Sequence, residues 1–421
     1  MTSPGVAPDE AARPAPPLLL WLIVAGALLG ALLGAFGGKP ASNAFGWVGD
    51  LFLDALRMLV VPLVMASLIC GIAAIGDVRG LGRAGLVAVV YFVGTMLVAV
   101  TLGLLLVTVI RPGEGAGPGA LTPEAAARFQ GKSDVGLSDF ARSFVHPSLL
   151  DAMARSLILP CIVFALVFGA ALTTLGARAR PALDFFSAIN DGLLRVVSWL
   201  MWLAPAGILG LVAGRIGATG GGAAAMEEFR RIGAYMLVVI LGLALHGGIV
   251  LPLLLKVLGR RAPLAYARGM LPALLTAFST ASSSATLPVT LECISERNGV
   301  SRKAAGFLAP LGTTLNMNGT ALYEAVAAVF IAQAHGIDLG PGSLVVVALT
   351  ATLAAIGAAG IPEAGLVTMV LVLNAVGLPL EGMGLILAVD WFLDRCRTTV
   401  NVWDDAVGAA ILERRAFGAE P

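Results

Sequence analysis

Charged residues are scarce in this chain. Only 13% of its 421 residues are charged, whereas 58% are hydrophobic and the mean hydropathy is +0.92. A soluble globular domain has about 25% charged and about 45–50% apolar residues, so this chain has too little polar surface for a soluble body of its size. The scarcity argues against a soluble enzyme, a disordered scaffold and a nucleic-acid binder with a basic patch. We therefore predict a polytopic membrane protein.

Residues that build disulfides and transition-metal sites are also few. The four cysteines stand singly without a CxxC pair, and the three histidines are dispersed along the sequence. Neither a disulfide framework nor a zinc site is predicted, and we expect no cofactor. The serine run at 282–284 has no histidine or lysine nearby that would activate a nucleophile. We therefore predict that the protein is not an enzyme, and an intramembrane enzyme using Ser283 is a remote alternative.

Six hydrophobic segments in the first 260 residues are long enough to cross a bilayer core of about 30 Å. They lie at 18–38, 51–76, 84–111, 153–177, 190–214 and 232–258. Residues 1–17 are polar and rich in proline, which predicts a disordered tail. Arginine and lysine concentrate in alternate connecting segments, so the positive-inside rule predicts cytoplasmic amino and carboxy termini. The 52 glycines and 23 prolines predict close-packed or broken helices.

The apolar stretches beyond residue 262 are short and interrupted. Polar and small residues separate 264–278 from 289–294, and AAIGAAGIPEAG at 354–365 divides the stretch 343–376. Each half is too short to span a bilayer. A pair of segments broken by Gly, Pro or Ser indicates re-entrant hairpins that line a site near the membrane midplane. Ordinary loops are the alternative, which is disfavoured because loops this apolar are hard to place in water.

The last hydrophobic segment, AVDWFLDRCRTTVNVWDD at 388–405, carries the strongest functional signal. Five of its polar side chains fall within a stripe about 80° wide when the segment is drawn as a helix. They are Asp390, Asp394, Arg397, Asn401 and Asp405. Charges at membrane depth are costly, so such a stripe faces the bundle interior and indicates a functional site. A structural salt-bridge ladder is the alternative, but it does not explain why the acids and the amide continue along one face.

The chemistry of the stripe suits a zwitterion that carries one extra negative charge. The guanidinium of Arg397 can bind a carboxylate through two hydrogen bonds, and Asp394 can bind an ammonium group. Asn401 and Thr398 can hold a second carboxylate. Asp405 offers the hard oxygen that an alkali cation needs when it loses water.

A second polar cluster, LGTTLNMNGTALYEA at 311–325, interrupts an otherwise apolar helix predicted over 302–334. Asn316, Asn318, Gly319 and Thr320 together favour local unwinding, which frees backbone carbonyls for a cation. A helix contact lined by amides is the alternative. Glu324 lies four residues beyond Thr320 on nearly the same face, and a lone carboxyl group in the membrane is a candidate proton carrier.

Four motifs in order resemble the dicarboxylate/amino acid:cation symporters, the family of the excitatory amino-acid transporters and the archaeal aspartate transporter. They are SSSATLP at 282–288, NMNGTALYEAVAAVFIAQ at 316–333, IGAAGIPEAGLVTM at 356–369 and DWFLDRCRTTVNV at 390–402. The resemblance implies an all-α fold with eight transmembrane helices, two re-entrant hairpins, inverted repeats, a homotrimer and elevator-type motion. It implies mainly scaffold helices 1–6 over 18–258, with helices 3 and 6 joining the transport domain. The transport core is then 262–412, followed by a tail at 413–421.

The resemblance also implies residue roles. Substrate-binding positions are Ser283, Thr320, Ile361, Gly365, Asp394, Arg397, Thr398 and Asn401. One sodium site matches Gly312, Asn316, Asn401 and Asp405, and a second matches Thr314, Ala355, Ile356 and Ala358. Glu324 matches a proton-coupling glutamate of the animal members.

Two departures from the family pattern affect the third sodium site. Asn318 stands where the motif usually has aspartate, and Met96, beside Thr95, stands where a hydroxyl is usual. A cation without its carboxylate is poorly compensated, so we expect this site to be eroded. The leading prediction is a plasma-membrane symporter, in a bacterial inner membrane, that takes up acidic amino acids with sodium and a proton. A C4-dicarboxylate carrier driven by protons or sodium is the alternative, in which Asp394 would meet no ammonium group.

Overall fold

A computed structural model describes residues 17–74, 82–114, 145–155, 157–218, 220, 222–356 and 364–416. Within these ranges the α-helices are α1 (Pro17–Ala74), α2 (Gly82–Ile110), α3 (Leu149–Ala154), α4 (Ile158–Thr174), α5 (Arg180–Met201), α6 (Ala204–Ala218), α7 (Gly222–Leu245), α8 (Leu251–Val257), α9 (Pro263–Thr280), α10 (Ser283–Glu292), α11 (Arg302–Leu315), α12 (Asn318–Ala334), α13 (Pro341–Ile356), α14 (Ala364–Ala375) and α15 (Met383–Ala416). No strand occurs in the described ranges, and the fold there is all-helical as predicted. Of the predicted tail at 1–17, residues 1–16 lie outside them, and Pro17 begins α1.

Three helical stretches are long and apolar enough to cross a membrane. They are Trp21–Ala73, Gly85–Ile110 and Met226–Val257. The first has 53 residues, about 80 Å at 1.5 Å per residue, and is therefore too long for a single crossing. It is divided at Gly38, whose φ of 53° and ψ of −142° are not helical. This break coincides with the end of the first apolar run in the sequence.

The predicted hydrophobic segment at 190–214 is divided between two helices in the structure. The chain there forms the pair α5 and α6, which bend by 60° relative to each other. Trp202 and Leu203 form the turn between them, and Pro205 follows in the first turn of α6. Proline has no N–H to continue a preceding helix, and it is tolerated in the first turn of the next. The two helices together are long enough to count as a fourth span.

Helices α1 and α6 pack through glycine. A side chain at Gly30 would lie 2.6 Å from the Leu209 carbonyl oxygen, and one at Gly49 would lie 2.5 Å from the Leu211 nitrogen. Helix α1 also packs on α4 and α5. Membrane helices associate through close backbone approach at small residues, because lipid gives no hydrophobic drive between them. The glycine-rich composition therefore serves close packing in this half.

The chain beyond residue 262 forms pairs of short helices, as the interrupted pattern predicts. Helix α9 ends at Ala281, whose φ of 51° is left-handed, and Ser282 then caps α10 by accepting a hydrogen bond from the Ala285 N–H. The two helices pack against each other. Helices α13 and α14 form a second packed pair, and residues 357–363 between them lie outside the described ranges.

Helices α12 and α15 are the centre of this half. Helix α12 packs on α2, α7, α13, α14 and α15, and α15 packs on α9, α10 and α11 as well. Nearly every residue of α12 is buried. A helix that is buried on all sides belongs in the interior of a bundle. The polar residues of α12 and α15 therefore meet inside protein and away from lipid.

The predicted tail at 413–421 begins too early. Helix α15 continues to Ala416. Glu413 is buried, forms an ion pair with Arg261 at 2.9 Å and accepts a hydrogen bond from the Ser301 N–H. Because these contacts hold α15 against the start of α11, the helix extends past the boundary that the resemblance implied.

Candidate functional site

Arg397 is the centre of the candidate site. Its side chain is fully buried on α15. One guanidinium nitrogen donates to the Asp394 carboxylate at 2.8 Å, and the other lies 3.0 Å from the Asp390 carboxylate. The guanidinium carbon lies 3.8 Å from the centre of the Tyr323 ring on α12. A buried cation requires such compensation, because an unpaired charge in the interior is very costly.

With both carboxyl groups counted as ionised, Arg397 and the two aspartates have a formal net charge of −1. Asp390 lies on the predicted stripe, but no individual role for it can be predicted from the sequence. The structure gives it one, because its carboxylate is the second anion on Arg397. Tyr323 was missed entirely, since an aromatic residue in an apolar helix gives no signal of a cation contact.

Gly365, at the start of α14, contacts the guanidinium. A side chain at this position would come within 2.9 Å of a terminal nitrogen of Arg397. Glycine is therefore the residue that allows α14 to lie directly against the arginine. The neighbouring predicted position Ile361 lies outside the described residues.

Asn401 connects α15 to the start of α12. Its side-chain oxygen accepts from the Gly319 N–H at 2.8 Å, and its amide nitrogen approaches the Thr320 hydroxyl at 3.4 Å. Thr398 is buried one turn before it. Ser283 begins α10, which packs on α15. The described substrate-site candidates therefore lie either on α15 or in the first turns of the helices α10, α12 and α14.

The predicted cation residues Gly312, Asn316 and Asp405 lie together. Helix α11 ends before Asn316 and α12 begins at Asn318, which is the predicted local unwinding. The Asn316 amide nitrogen donates to the Asp405 carboxylate at 3.0 Å. A side chain at Gly312 would overlap that carboxylate, so glycine is required there. Asn316 and Asp405 each keep a buried oxygen with no hydrogen-bond partner in the described part of the chain.

The second predicted cation set is only partly described. Thr314 lies on the last turn of α11, and Ala355 and Ile356 end α13. Helices α11 and α13 are in contact. The ends of helices carry free carbonyl oxygens, the groups that this set would supply. Ala358 falls outside the described ranges.

Glu324 lies on α12 and is fully buried. Its carboxylate accepts a hydrogen bond from the Thr368 hydroxyl of α14. Its other oxygen has no hydrogen-bond partner among the described residues. Thr368 was not singled out in the sequence, because a threonine within an apolar run has no distinctive pattern.

At Asn318, the structure differs from the sequence expectation in one respect. The family pattern has a carboxylate at position 318, and this chain has an amide there. A different carboxylate, that of Asp404 on α15, lies next to this amide and accepts a hydrogen bond from the Asn318 nitrogen. The Tyr91 hydroxyl of α2 also donates to Asp404, at 2.9 Å. Counted around the helix from Asp390 at 100° per residue, Asp404 points at about 320°. This direction lies about 20° outside the stripe drawn from the sequence. Widening that stripe slightly would have found it.

These features define a helical membrane protein. Its interior holds an arginine whose charge is balanced by two aspartates, and a break between two helices that is lined by polar side chains. The model of the sodium:dicarboxylate symporter family matches residues 19–415. The chain therefore belongs to this family. It is 41% identical to mouse excitatory amino acid transporter 3, over 94% of this chain and 85% of the relative. It is 39% identical to excitatory amino acid transporter 1 of Ambystoma tigrinum, with 88% and 77% covered. Rat excitatory amino acid transporter 2 is 38% identical, with 94% and 78% covered.

Proposed function

We propose that this protein is a symporter that takes up acidic amino acids, glutamate or aspartate, driven by sodium. The observation that carries the proposal is the buried Arg397 between two carboxylates and against Gly365. A fixed, desolvated guanidinium is a strong partner for a carboxylate, because its planar donors match both oxygens. The relatives named as amino acid transporters support the same substrate class.

In the proposed binding mode, Arg397 binds the side-chain carboxylate of the substrate and Asp394 binds its ammonium group. Thr398 and Asn401 hold the second carboxylate, together with the free N–H groups at the start of α12. Helix starts attract anions because their N–H groups lack partners and the helix dipole is positive there. Ser283 and Thr320 contribute from the hairpin and α12, and Ile361 and Gly365 cover the site.

The charge of the trio favours an amino acid over a C4-dicarboxylate. Asp390, Asp394 and Arg397 sum to −1 before a ligand binds. A dicarboxylate adds two negative charges to that site, whereas aspartate adds one and brings an ammonium group to Asp394. Like charges in a desolvated site repel strongly. We therefore keep the dicarboxylate carrier as the second candidate.

We further propose that two sodium ions travel with the substrate and that Glu324 carries a proton. Asn316, Asn401, Asp405 and the Gly312 carbonyl form the first sodium site. Thr314, Ala355, Ile356 and Ala358 form the second, chiefly through carbonyl oxygens. Asn316 and Asp405 each have a buried side-chain oxygen with no hydrogen-bond partner among the described residues, which supports the first site.

The proposed architecture has eight transmembrane helices and two re-entrant hairpins, α9–α10 and α13–α14, in a homotrimer. Transport would move the 262–412 core, with α2 and α7–α8, against a scaffold as in an elevator. The packing of α2 and α7 on α12 and α15 supports this grouping. We place the protein in the plasma membrane, a bacterial inner membrane. The distribution of arginine among the connecting segments supports an orientation with both termini in the cytoplasm.

Uptake of labelled aspartate into proteoliposomes tests the function. We expect accumulation under an inward sodium gradient, none when potassium replaces sodium outside, and competition by glutamate more than by succinate. Chromatography of the vesicle contents should return unchanged aspartate, because a carrier makes no product. Equal competition by succinate would favour the dicarboxylate carrier. A chemically altered substrate would favour the intramembrane enzyme.

A further inference from the structure

An apolar groove lies between α7, α8, α9 and α15, away from the candidate site. Its volume is about 760 Å³, within the range of about 300–1,000 Å³ that is typical of ligand pockets. Its wall includes Leu243, Pro252, Leu264, Leu274, Phe278 and Trp403. The groove is open to the outside of the molecule, because Leu264 and Phe278 in its wall are exposed. None of the described substrate or sodium candidates lines it.

The wall of the groove offers little to a polar ligand. The Thr399 hydroxyl already donates to the Arg395 carbonyl at 2.8 Å, and the Trp403 indole N–H donates to the Gly247 carbonyl at 2.9 Å. No charged side chain lines the groove in the described part of the chain. Because the wall is otherwise apolar, its occupant must be apolar as well. In a membrane protein the acyl chain of a lipid meets this requirement.

The groove follows α9 along most of its length. Its wall includes Pro263 in the first turn of α9 and Phe278 in the last, which are about 22 Å apart at 1.5 Å per residue. One leaflet of a bilayer contributes half of a hydrocarbon core of about 30 Å, which is about 15 Å. The groove is therefore long enough for an acyl chain of one leaflet. One end of the groove lies at the turn between α8 and α9.

Three exposed basic side chains, Lys256, Arg260 and Arg268, stand at this end of the groove and are called the basic rim here. Lys256 lies one turn beyond Pro252 of the wall, and Arg268 lies one turn beyond Leu264. Side chains of a helix lean toward its amino terminus, so Lys256 leans over the wall and Arg268 reaches back toward the turn. Arg260 is in the turn itself.

The basic rim has no ion pair among the described residues. Neighbouring bases do have such partners, since Arg261 pairs with Glu413 at 2.9 Å and Arg302 pairs with Glu296 at 2.9 Å. The turn between α8 and α9 therefore presents uncompensated positive charge beside an apolar groove. This combination is complementary to a ligand that has a hydrocarbon chain and an anionic head.

We propose that the groove and the basic rim bind an anionic phospholipid, with one acyl chain in the groove and the phosphate on the rim. Arginine binds phosphate oxygens through two parallel hydrogen bonds. Each basic side chain near the headgroups strengthens the binding of anionic lipid about fivefold. A zwitterionic lipid brings a positive group to the same rim and binds more weakly. The inference goes beyond the proposed function and requires only that the chain lies in a membrane.

Thermal unfolding of the purified full-length protein in detergent tests the charge preference. Phosphatidylglycerol and phosphatidylcholine with identical acyl chains are added in separate titrations. We expect phosphatidylglycerol to raise the unfolding temperature at a concentration about tenfold lower than phosphatidylcholine does. In the triple variant Lys256→Gln, Arg260→Gln and Arg268→Gln, the two lipids should act equally. A preference for phosphatidylglycerol that survives in this variant would overturn the proposal.

A second triple variant, Arg178→Gln, Arg180→Gln and Lys303→Gln, is the matched control. It removes two arginines and one lysine from exposed positions that do not line the groove. We expect this control to keep the parent's preference for phosphatidylglycerol. Loss of the preference in the control as well would mean that the lipid responds to total charge, which would contradict a site at the basic rim.

Fluorescence of Trp403 locates the acyl chain. Bromine on a lipid chain quenches tryptophan at contact, and the contribution of Trp403 is the difference between the parent and Trp403→Phe. In vesicles made mostly of phosphatidylcholine, a small fraction of brominated phosphatidylglycerol should quench Trp403 several-fold more than the same fraction of brominated phosphatidylcholine. Equal quenching by the two lipids would show that any lipid fills the groove and would overturn the proposal.

Filling the groove separates a lipid in the site from a headgroup on a charged surface. A side chain at Gly248 in the groove wall would meet no atom within 4 Å, so Gly248→Phe can occupy the groove without a clash. We expect this variant to lose both the quenching of Trp403 and the preference for phosphatidylglycerol, although the basic rim is intact. A preference that remains would contradict the chain in the groove. None of these measurements uses aspartate, so failure of the lipid site leaves the transport proposal standing, and the reverse also holds.

Discussion

The Thr368 hydroxyl donates to the Glu324 carboxylate and so joins α14 to α12 at a fully buried acid. Thr368 lies one turn from Gly365, where α14 touches the guanidinium of Arg397. The protonation of Glu324 can therefore act on the helix that covers the proposed substrate site.

Neutralising Glu324 should remove the proton from the transport cycle. For Glu324→Gln we expect sodium-driven uptake that no longer responds to an imposed pH gradient. In the parent, uptake should fall as the external pH rises, because the proton enters with the substrate. The measurement is aspartate uptake in proteoliposomes at fixed sodium gradient and varied external pH. A pH response that survives in Glu324→Gln would assign the proton to another group.

Removing Arg397 should abolish recognition of acidic amino acids. Breaking a buried ion pair by deleting one partner costs roughly 3–5 kcal/mol, so aspartate affinity should fall more than about a hundredfold in Arg397→Ala. Neutral amino acids become the better ligands. Arg395→Lys is the control, since Arg395 is half-buried and donates to the Phe278 and Ser279 carbonyls, away from the candidate site. Aspartate affinity unchanged in Arg397→Ala would contradict the binding mode.

Replacing Asp394 tests the recognition of the ammonium group. Asp394→Ser should weaken aspartate binding far more than succinate binding, because only aspartate brings a positive charge to this carboxylate. Competition against labelled aspartate, run with both ligands, measures the two affinities. Equal weakening would mean that Asp394 acts only by holding Arg397 at 2.8 Å.

A methyl group at Gly365 should disturb the cover over Arg397. It would lie 2.9 Å from a guanidinium nitrogen, closer than real side chains approach. We expect Gly365→Ala to raise the KM for aspartate. The rise in thermal unfolding temperature that sodium causes in the absence of substrate should stay unchanged. A loss of sodium response would indicate that the substitution unfolds the core and does not act on the substrate site.

Glycine at the α1–α6 contact should be required for stability. In Gly49→Ala the new methyl group would meet the Leu211 backbone at 2.5 Å, and overpacking of this kind costs about 1–3 kcal/mol. We therefore expect a lower thermal unfolding temperature in detergent. Gly94→Ala on α2 is the matched control, since no atom lies within 4 Å of its new methyl group. Equal unfolding temperatures for both variants would contradict the packing argument.

The sequence predicts the all-helical class, the broken second half and the polar face of α15, because each depends on a local pattern. The unwinding at Asn316 follows for the same reason. The bend at Trp202 and the extent of α15 to Ala416 were missed, since both depend on tertiary contacts. The stripe on α15 was drawn from one helix alone. Asp404 finds its partners Asn318 and Tyr91 on other helices, so the stripe alone does not reveal it. Asp390 instead contacts Arg397 two turns along the same helix, and only the side-chain geometry shows that contact.

The break between α11 and α12 has a thermodynamic consequence. The free carbonyls that end α11 present a negative pole, and the free N–H groups that begin α12 present a positive pole, within a few residues of each other. Asn401 bonds to the Gly319 N–H at the positive pole, and it belongs to both proposed ligand sets. Cations and an anionic substrate bound at this point would stabilise the same arrangement of the chain. By linkage, sodium must then raise the affinity for substrate by the same factor by which the substrate raises the affinity for sodium.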